Sequence, residues 1–325
     1  MGKIRKPRAG SLALRPRKRA EELTPRIRSW AQIDKPCLLG FPAYKVGMRR
    51  LGMIDDSTSP SKGMEITIPV TVLETPKINI FGIRAYKRTN LGVVCVGDVL
   101  SAQPKVAGKL GMKKERKEKK ERNIEWLDSL VADSEISDVS VLALTYPELA
   151  GIPKKKAEVV EIGVGGKDLK EKIDYAKSIL GKDVSVNDVF LDGEWADAIA
   201  VTRGKGWQGP VKRFGVSKQR RKATGRVRHV GTLGPWHPPY VMYTTPQAGQ
   251  MGFHRRTQYN ARILAVEKDP SKINPAGGFP HYGLVKTDCV IIRGSVQGTQ
   301  KRFVFLRKGI RVKEPPRKPQ ILWIA

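Results

Sequence analysis

The stretch that most constrains the fold runs from residue 198 to residue 266, where 13 Lys or Arg residues occur without a single Asp or Glu. Positive charges without acidic partners repel one another and oppose compaction. Residues 204–258 also contain nine glycines and five prolines and show no helix or strand period. A loop of this length is uncommon in a compact domain. We therefore predict an arm that becomes ordered on a polyanionic partner.

The charge of the whole chain indicates the nature of that partner. The 325 residues carry a formal net charge of +30, and 40% of them are hydrophobic, so a strongly basic protein with a real core is expected. The positive charge is concentrated in residues 1–20, 104–122, 198–266 and 301–318. Nucleic acid is the expected partner, because Lys and Arg neutralise phosphates and release condensed counterions.

Three cysteines, Cys37, Cys95 and Cys289, lie far apart and form no CxxC pair, which argues against a disulfide framework. The apolar sequence around Cys95 and Cys289 predicts buried thiols in a reducing compartment. No apolar run reaches the length of a membrane-spanning helix, and the N-terminus lacks the apolar core of a signal peptide. A soluble cytoplasmic protein without a membrane partner is expected.

Short apolar segments occur at both ends of the chain. Apolar and polar residues alternate over residues 64–72, which predicts a half-buried strand with an edge or bulge at Pro69. Further strands are predicted at residues 77–86, 91–100, 194–202, 261–269, 283–294 and 301–309. Strands that recur at both ends of a chain predict one closed sheet, a barrel, assembled from distant segments.

The pattern changes between residues 104 and 184, where an α+β insertion is predicted. Residues 135–146 and 157–164 are typical of strands, and Asp168 with Glu171 forms a candidate capping box for a helix. Two helix faces are predicted, one from Ile124, Leu127 and Val131, and one from Leu169, Ile173, Ala176 and Leu180, the second ending at Gly181.

These patterns divide a mainly β chain into six parts. The predicted parts are a basic N-terminal extension (1–36), the first part of the barrel (37–103), the α+β insertion (104–184), a barrel strand (185–203), a central finger (204–258) and the second part of the barrel (259–325).

Basic residues, glycines and aromatic residues alternate over residues 201–231. Glycines let the backbone approach phosphates, and Trp207 and Phe214 offer rings on which unpaired bases can stack, at about 1–3 kcal/mol for each base. In GPWHPPY, residues 234–240, three prolines restrict the chain and predict a rigid tip that presents Trp236 to folded RNA. The predicted RNA-binding residues are Lys3, Arg5, Lys6, Arg8, Arg15, Arg17, Lys18, Arg19, Arg203, Lys205, Trp207, Gln208, Lys212, Arg213, Lys218, Arg220, Arg221, Lys222, Arg226, Arg228, Trp236, His237, Arg255 and Arg256.

Several of these features also have a simpler structural explanation. The basic stretch could be a solvated loop with core aromatic residues, and Trp236 could pack back on the body of the protein. The lysine-rich residues 113–122 could contact phosphates or form only a solvated helix face. The sequence GVGGKD, residues 163–168, lacks the spacing of a phosphate-binding loop, so a tight turn is predicted there.

No residue pattern indicates catalysis, so the chain is not predicted to be an enzyme. The histidines His229, His237, His254 and His281 show no paired spacing with Cys or carboxylates, and neither a metal nor a cofactor is predicted. The most basic stretches contain no carboxylate to act as general acid or base. Two rival classes are an RNA-modifying enzyme with a basic arm and a protein that compacts DNA.

Four segments occur in order along the chain: GSLALRPRKRA, VTRGKGWQGPVKRFGV, GPWHPPYVMY and AGQMGFHRRTQYN. Together they resemble the universal third protein of the large ribosomal subunit in its archaeal and eukaryotic form. The likeness runs nearly from end to end, and bacterial members lack the long insertion and the Trp-His-Pro tip.

The resemblance implies a six-stranded barrel of the translation-protein type, with an N-terminal extension and a finger that thread into rRNA. It implies a structural role, early joining to the subunit, and a position of Trp236 near the peptidyl transferase centre. The expected partners are large-subunit rRNA and neighbouring large-subunit proteins, with no small-molecule substrate. Barrel residues Lys301, Arg302, Arg307 and Lys308 are candidates for contacts with rRNA helices.

Overall fold

The computed structural model describes residues 10–101, 124, 126, 127, 129, 136–154, 156–312 and 315–325. The predictions for Lys3, Arg5, Lys6, Arg8, Val131 and residues 113–122 fall outside these residues. The chain divides into two compact units. The smaller unit comprises the described residues of Met1–Glu22 together with Val201–Arg256, and the larger unit comprises those of Leu23–Ala200 and Thr257–Ala325.

Strands dominate the described residues. In chain order they are β1 (Gly40–Ile54), β2 (Glu65–Glu74), β3 (Ile78–Thr89), β4 (Gly92–Leu100), β5 (Asp138–Thr145), β6 (Val159–Gly163), β7 (Asp183–Val184), β8 (Trp195–Val201), β9 (Trp207–Gln208), β10 (Gly249–Gln250), β11 (Arg255–Glu267), β12 (Cys289–Arg293), β13 (Phe303–Lys308) and β14 (Ile321–Ile324). Among the helices whose bounds lie in the described residues are α1 (Leu169–Ile179) and α2 (Pro210–Phe214), and 3-10 turns occupy Val186–Asp188 and Pro270–Lys272.

Six strands close into a ring in the order β13, β8, β11, β12, β2 and β1, because β1 also pairs with β13. That closing pair is antiparallel and places Gly40 opposite Arg307 and Tyr44 opposite Phe303. β14 extends the same sheet beyond β1. A ring built from both ends of the chain confirms the predicted mainly β fold class and the closed sheet.

Pro69 shows how the sequence sets the limits of pairing. β2 pairs with β1 along its whole length, whereas its pairing with β12 ends at Val70. Pro69 lies one residue beyond, and its carbonyl accepts a hydrogen bond of 2.8 Å from the amide of Gly294. Proline cannot donate to a sheet ladder, so its place at the end of this pairing satisfies the constraint.

Buried aromatic residues support the ring. Phe41, Phe303 and Phe305 are almost fully buried in one apolar cluster, and Trp30 packs edge-on against Phe305 with ring centroids 5.9 Å apart. Edge-to-face pairs of this kind add to the stabilisation gained from burial of apolar area. The larger unit therefore has a core of its own.

β3 and β4 do not belong to the ring, so the expectation that residues 77–86 and 91–100 would join it was wrong. They form a second sheet in the order β4, β3, β5 and β6, with β7 paired to β3. Alternating apolar residues fit either sheet, because the pattern defines a buried face and not the neighbouring strand. The two strands that complete this sheet come from the insertion.

The ring strand β1 was not predicted. Its 15 residues include Gly47, Gly52 and the pair Arg49–Arg50, which obscure the alternation expected of a strand. The pairing of β1 with β2 is irregular between Lys45 and Gly47, which is typical of a β-bulge. Glycine at position 52 leaves room for the Trp323 ring, because a Cβ there would lie 2.4 Å from the ring.

The strands β5 and β6 and the helix α1 confirm the predicted α+β character of the insertion. Asp168 is the N-cap residue of α1, but its side chain makes no capping hydrogen bond, so the predicted capping box is absent. The helix instead gains its support from Ile173 and Ala176, which are buried.

Two further expectations concern cysteines and membranes. Cys289 is buried as predicted, Cys37 is half-buried, and all three thiols are free. Cys95 is exposed, contrary to prediction, because it lies on the edge strand β4. Within the described part of the chain, no helix is long and apolar enough to cross a membrane.

Candidate nucleic-acid interface

The smaller unit carries almost all of the predicted RNA-binding residues that the structure describes. Ten basic residues lie between Arg203 and Arg228, and all of them except the half-buried Arg213 are exposed. Among the described residues, no acidic side chain forms an ion pair with any of these ten. Their charge is therefore available to an external polyanion.

A short ladder forms the root of the finger. β9 pairs antiparallel with β10, so that Trp207 lies opposite Gln250. Backbone hydrogen bonds continue the ladder from Lys205 to Met251 and from Thr202 to His254, at 2.9 and 3.0 Å. Although Thr202 and His254 are 52 residues apart in sequence, this ladder holds the two sides of the finger together at their base.

The turn at Gly252 requires glycine. Its φ of +73° lies in the left-handed region, and a Cβ would lie 2.0 Å from the carbonyl oxygen of Arg203. A larger residue at this position would push the strands of the ladder apart. The glycines of this region therefore serve the local fold, in addition to any approach of the backbone to phosphate.

The helix α2 follows β9 directly. Pro210 occupies its first position, where the missing N–H is not needed, and Gly215 ends it in the left-handed conformation with φ of +72°. Phe214 is only 7% exposed. The expectation that Phe214 would stack on RNA bases was therefore wrong, because its ring forms the small core of this unit.

The arm of residues 10–22 packs against the root of the finger. The amide of Ala20 donates to the carbonyl of Phe253 at 2.8 Å, and His254 Nδ1 donates to the carbonyl of Lys18 at 2.9 Å. The Arg17 guanidinium lies 4.6 Å from the centre of the Phe214 ring. The arm and the finger, which the sequence placed in separate parts, thus form one folded unit.

Further cation–π contacts join the same two segments. Arg15 lies 4.4 Å from the centre of the Tyr243 ring, and Arg19 lies 5.3 Å from that of Phe253. Contacts of this type contribute about 0.5–1 kcal/mol at exposed sites. Tyr243 was not predicted as a site residue, although an aromatic residue among so many arginines was a usable signal.

The tip of the finger presents aromatic rings to the outside. Trp236 is 85% exposed, and Tyr240 is 70% exposed. The ring of His237 lies edge-on to that of Trp236, with centroids 6.5 Å apart. The Thr245 hydroxyl donates to the carbonyl of Leu233 at 3.1 Å and joins the two sides of the tip. The exposure of Trp236 excludes the alternative in which its ring packs back on the body of the protein.

The predicted RNA-binding residues differ in their exposure to solvent. Arg17, Gln208, Arg213 and Arg256 are half-buried. The others that the structure describes are exposed, namely Arg15, Lys18, Arg19, Arg203, Lys205, Trp207, Lys212, Lys218, Arg220, Arg221, Lys222, Arg226, Arg228, Trp236, His237 and Arg255. Arg213 also has a structural role, because it donates to the carbonyls of Gln250 and Gln247, each at 3.0 Å.

The larger unit corrects one part of the prediction. Arg307 is only 3% exposed and pairs with the fully buried Asp197 at 2.7 Å. Lys308 is bound to Glu194 at 2.7 Å, and burial lowers the pKa of Arg302. Arg307 therefore stabilises the sheet and does not form a basic face for nucleic acid, whereas Lys301 is exposed.

Neither a metal cluster nor a phosphate-binding loop at GVGGKD is found in the described part of the chain. The described residues contain no group of three or more His, Cys, Asp or Glu that could hold a metal ion. In the segment GVGGKD, the amides of Gly165 and Gly166 donate to the carbonyls of Cys37 and Ile33, at 2.8 and 2.9 Å. Those donors are therefore used within the protein. The segment lies alongside residues 33–37 and forms only bends at positions 167 and 168, so the predicted tight turn is absent.

Comparison with known proteins identifies the family. The sequence model described as Ribosomal protein L3 matches residues 1–322. The chain belongs to the ribosomal protein L3 family. It is thus a structural protein of the large ribosomal subunit and not an enzyme, as predicted. This membership also locates the chain in the large ribosomal subunit.

Archaeal members of the L3 family are similar over their full length. The large ribosomal subunit protein uL3 of Methanothermobacter thermautotrophicus is 46% identical, with 100% of this chain and 98% of the relative covered. The uL3 of Methanocaldococcus jannaschii is 45% identical over 99% of this chain and 97% of the relative. The uL3 of Methanococcus vannielii is 48% identical over 96% of this chain and 93% of the relative. The predicted archaeal form is confirmed.

Proposed function

We propose that the chain binds large-subunit rRNA directly through its smaller unit. The observation that carries this proposal is the set of ten basic residues from Arg203 to Arg228, of which nine are exposed and none is paired with a described acidic side chain. A protein that contacted only other proteins would offset much of this charge by itself. Phosphates of rRNA provide the missing counter-charge.

The shape of the finger fits folded RNA better than a regular duplex. The described residues between Gly215 and Gly249 form turns and irregular backbone, with no helix or strand to enter a groove. Protein segments of this kind follow the local shape of RNA and contact exposed bases. Compaction of duplex DNA, one of the rival functions, would require no single protruding aromatic tip.

Trp236 is the residue that we assign to base stacking at the tip. An indole that is 85% exposed on a proline-restricted segment gains little from the protein itself. Stacking on an unpaired base would bury the ring and contribute about 1–3 kcal/mol. We propose, as the family resemblance implies, that the tip approaches the peptidyl transferase centre, where it would hold one arrangement of rRNA and contribute no catalytic group.

An assembly role follows from the same charges. Before rRNA binds, the basic residues of the finger repel one another, and rRNA that folds around the finger replaces mobile counterions inside the subunit. We therefore infer that the chain joins the subunit before the rRNA around the finger is fully compact. Of the parts predicted from the sequence, the N-terminal extension and the finger hold rRNA in this proposal.

The test is retention on the large subunit in salt. Subunits are isolated from cells that express the tagged full chain and are washed in moderate and then in high salt on a sucrose gradient. Retention through the high-salt wash is expected, because a finger enclosed by rRNA cannot dissociate contact by contact. Release at moderate salt, or sedimentation with DNA, would contradict the proposal.

A substitution sharpens the test. Replacement of Lys218, Arg220, Arg221 and Lys222 by Gln is expected to lower the retained fraction and to reduce the slope of log affinity against log salt by about 0.7–0.9 for each lost phosphate contact. A matched control replaces four exposed basic residues of the larger unit, Lys62, Lys167, Lys170 and Lys182, by Gln. Equal losses in the two variants would show that only net charge matters.

A further inference from the structure

A cavity of about 370 Å³ lies at the root of the finger, within the smaller unit. Its wall combines residues of the arm with residues of both sides of the ladder. Five basic side chains line it, namely Arg17, Arg203, Lys205, Arg213 and Arg256, together with His254. No acidic residue is among the described residues of its wall. Such a concentration of one charge on a concave surface focuses the electrostatic field on the cavity.

Neutral partners hold the guanidinium groups in place. Arg213 donates Nε–H to the carbonyl of Gln250 and a terminal N–H to that of Gln247, each at 3.0 Å. Arg17 donates to the carbonyl of Ser11 and lies over the Phe214 ring, on which Arg213 also lies at 5.2 Å. Carbonyls and an aromatic ring orient these cations without cancelling their charge.

Burial makes the clustering of these charges costly. Burial lowers the pKa of Arg256, and the neighbouring charge of Arg17 lowers it further. Burial also lowers the pKa of His254, as do the charges of Arg256, Arg213 and Arg17, although its hydrogen bond to the Lys18 carbonyl acts in the opposite direction. Like charges that a fold holds together in this way are stabilised when an anion enters between them.

The dimensions of the cavity restrict the anion. A single phosphate group fills only part of it, whereas two linked or neighbouring phosphates fit both the volume and the number of cations. Leu14 and Met251 add an apolar part to the wall, which suits the sugar that links two phosphates. Arginine and lysine are together the usual ligands of such groups, since arginine binds phosphate oxygens in pairs.

We propose that this cavity is a binding site for paired phosphate groups, which close the arm of residues 10–22 onto the root of the finger. The inference rests on the proposed rRNA binding and deepens it, because it assigns one built site within the basic surface. The phosphates come either from a sharply turned RNA backbone or from free or terminal phosphate groups. In both cases the ligand joins Arg17 of the arm to Arg203, Lys205, Arg213 and Arg256 of the finger.

The test uses the full chain and inorganic pyrophosphate as the probe. Binding is measured by titration calorimetry in a buffer free of other phosphates, for the unsubstituted chain and two double variants. Arg203→Gln with Lys205→Gln removes two exposed cations of the cavity wall whose side chains form no hydrogen bond or ion pair with the described residues. Lys167→Gln with Lys170→Gln removes the same charge from an exposed part of the larger unit.

The site is supported if the unsubstituted chain binds pyrophosphate saturably, if the affinity falls about ten-fold or more in the cavity variant, and if it falls less than about two-fold in the control. A ten-fold loss corresponds to roughly one good charged contact. Equal weakening in both variants, or no saturable binding by the unsubstituted chain, overturns it. Near-ultraviolet spectra of both variants confirm that they fold.

His254 gives an independent signal from inside the cavity. Its imidazole lies near the charges of Arg17, Arg213 and Arg256 and donates to the Lys18 carbonyl, whereas its backbone amide donates to the Thr202 hydroxyl. A bound anion must raise the pKa of this imidazole, which an NMR titration detects in the full chain. A pKa that does not change while pyrophosphate binds would place the anion elsewhere and overturn the proposal.

Two further experiments identify the source of the phosphates and separate this inference from the proposed function. A short single-stranded RNA with hydroxyl ends that displaces pyrophosphate assigns the site to backbone phosphates. Displacement only by RNA with a terminal phosphate assigns it to terminal or free groups. If the chain stays on the large subunit in high salt but binds no pyrophosphate, the cavity proposal fails and rRNA binding stands. If retention fails, the proposed function fails whatever the cavity binds.

Discussion

The arginine side chains of the two units have different kinds of partner. In the larger unit, buried or half-buried arginines pair with carboxylates, as Arg307 does with Asp197 and Arg84 does with Asp98, each at 2.7 Å. In the smaller unit, arginines lie over aromatic rings and donate to backbone carbonyls. The first unit satisfies its charges within the protein. The second leaves them for a partner, and this difference is what identifies the nucleic-acid interface.

The apolar residues follow the same division. Large rings such as Phe41 and Phe305 fill the core of the larger unit, whereas Trp207 and Trp236 of the smaller unit are 76% and 85% exposed. Burial of apolar area is the main source of folding free energy, so the larger unit contributes most of the stability of the described chain. The smaller unit has Phe214 and little else inside it. We expect substitutions in the two units to affect different measurements.

The largest expected effect is on the stability of the larger unit. Asp197→Ala removes the partner of the buried Arg307 and an acceptor of the Asn260 amide. An uncompensated buried charge costs about 3–5 kcal/mol. Urea unfolding of the full chain should show a loss of this size. Glu21→Gln, which removes an exposed partner of Lys18 in the smaller unit, serves as the control and should leave the unfolding midpoint unchanged.

Substitution of Trp236 should have the reverse pattern. Trp236→Ala removes a ring that is 85% exposed, so urea unfolding of the free chain should not change. The loss of a stacked base should weaken binding to large-subunit rRNA by about 1–3 kcal/mol. A filter-binding assay with rRNA compares it with Leu191→Ala, which removes an exposed apolar residue of the larger unit. Destabilisation without a loss of binding would show that the tip packs on protein.

Alkaline pH should act mainly on the larger unit. Burial raises the pKa of the Cys289 thiol from 9.0 to about 12. Between these values only the unfolded chain loses this proton, so stability should fall as pH rises above 9, by at most about 1.4 kcal/mol for each pH unit. Tyr86, whose pKa burial raises to about 12, acts in the same direction. Urea unfolding at pH 8 and pH 10 measures the loss, which Cys289→Ala should reduce.

The smallest effect concerns the contact between arm and finger. Tyr243→Ala removes the exposed ring that lies 4.4 Å from the Arg15 guanidinium, a contact worth about 0.5–1 kcal/mol. Hydrogen exchange of the Ala20 amide, which donates to Phe253, should accelerate about ten-fold or less. Tyr259→Ala, which removes a ring near Arg311 in the larger unit, should leave this amide unaffected.

Much of the fold could be predicted because its signals are local. Alternation over residues 64–72 predicted β2, and turn residues and charge predicted the finger. The sequence could not assign β3 and β4 to the second sheet, because an apolar pattern defines a face and leaves the partner strand open. It also missed β1, in which three glycines and two adjacent arginines hide the pattern.

Sequence composition predicted the basic surface as a whole, but not which of its individual residues would be buried. The absence of acidic residues over residues 198–266 identified the basic surface, and the prolines around Trp236 predicted an exposed ring. Burial of Phe214 and Arg307 could not be seen, because both depend on residues distant in sequence, such as Gly10 and Asp197. The cavity at the root of the finger likewise requires the arm to be present.

The central claim is that the tip of the finger lies within rRNA, and directed hydroxyl-radical cleavage tests it most directly. An iron chelate is attached to His237→Cys in a chain with Cys95→Ser, which removes the exposed thiol and keeps Trp236. Large subunits assembled with this chain are then probed for strand breaks. The account predicts strong cleavage of rRNA at a few sites close to one another in the folded subunit. Absence of rRNA cleavage from position 237 in subunits that retain the labelled chain would contradict it.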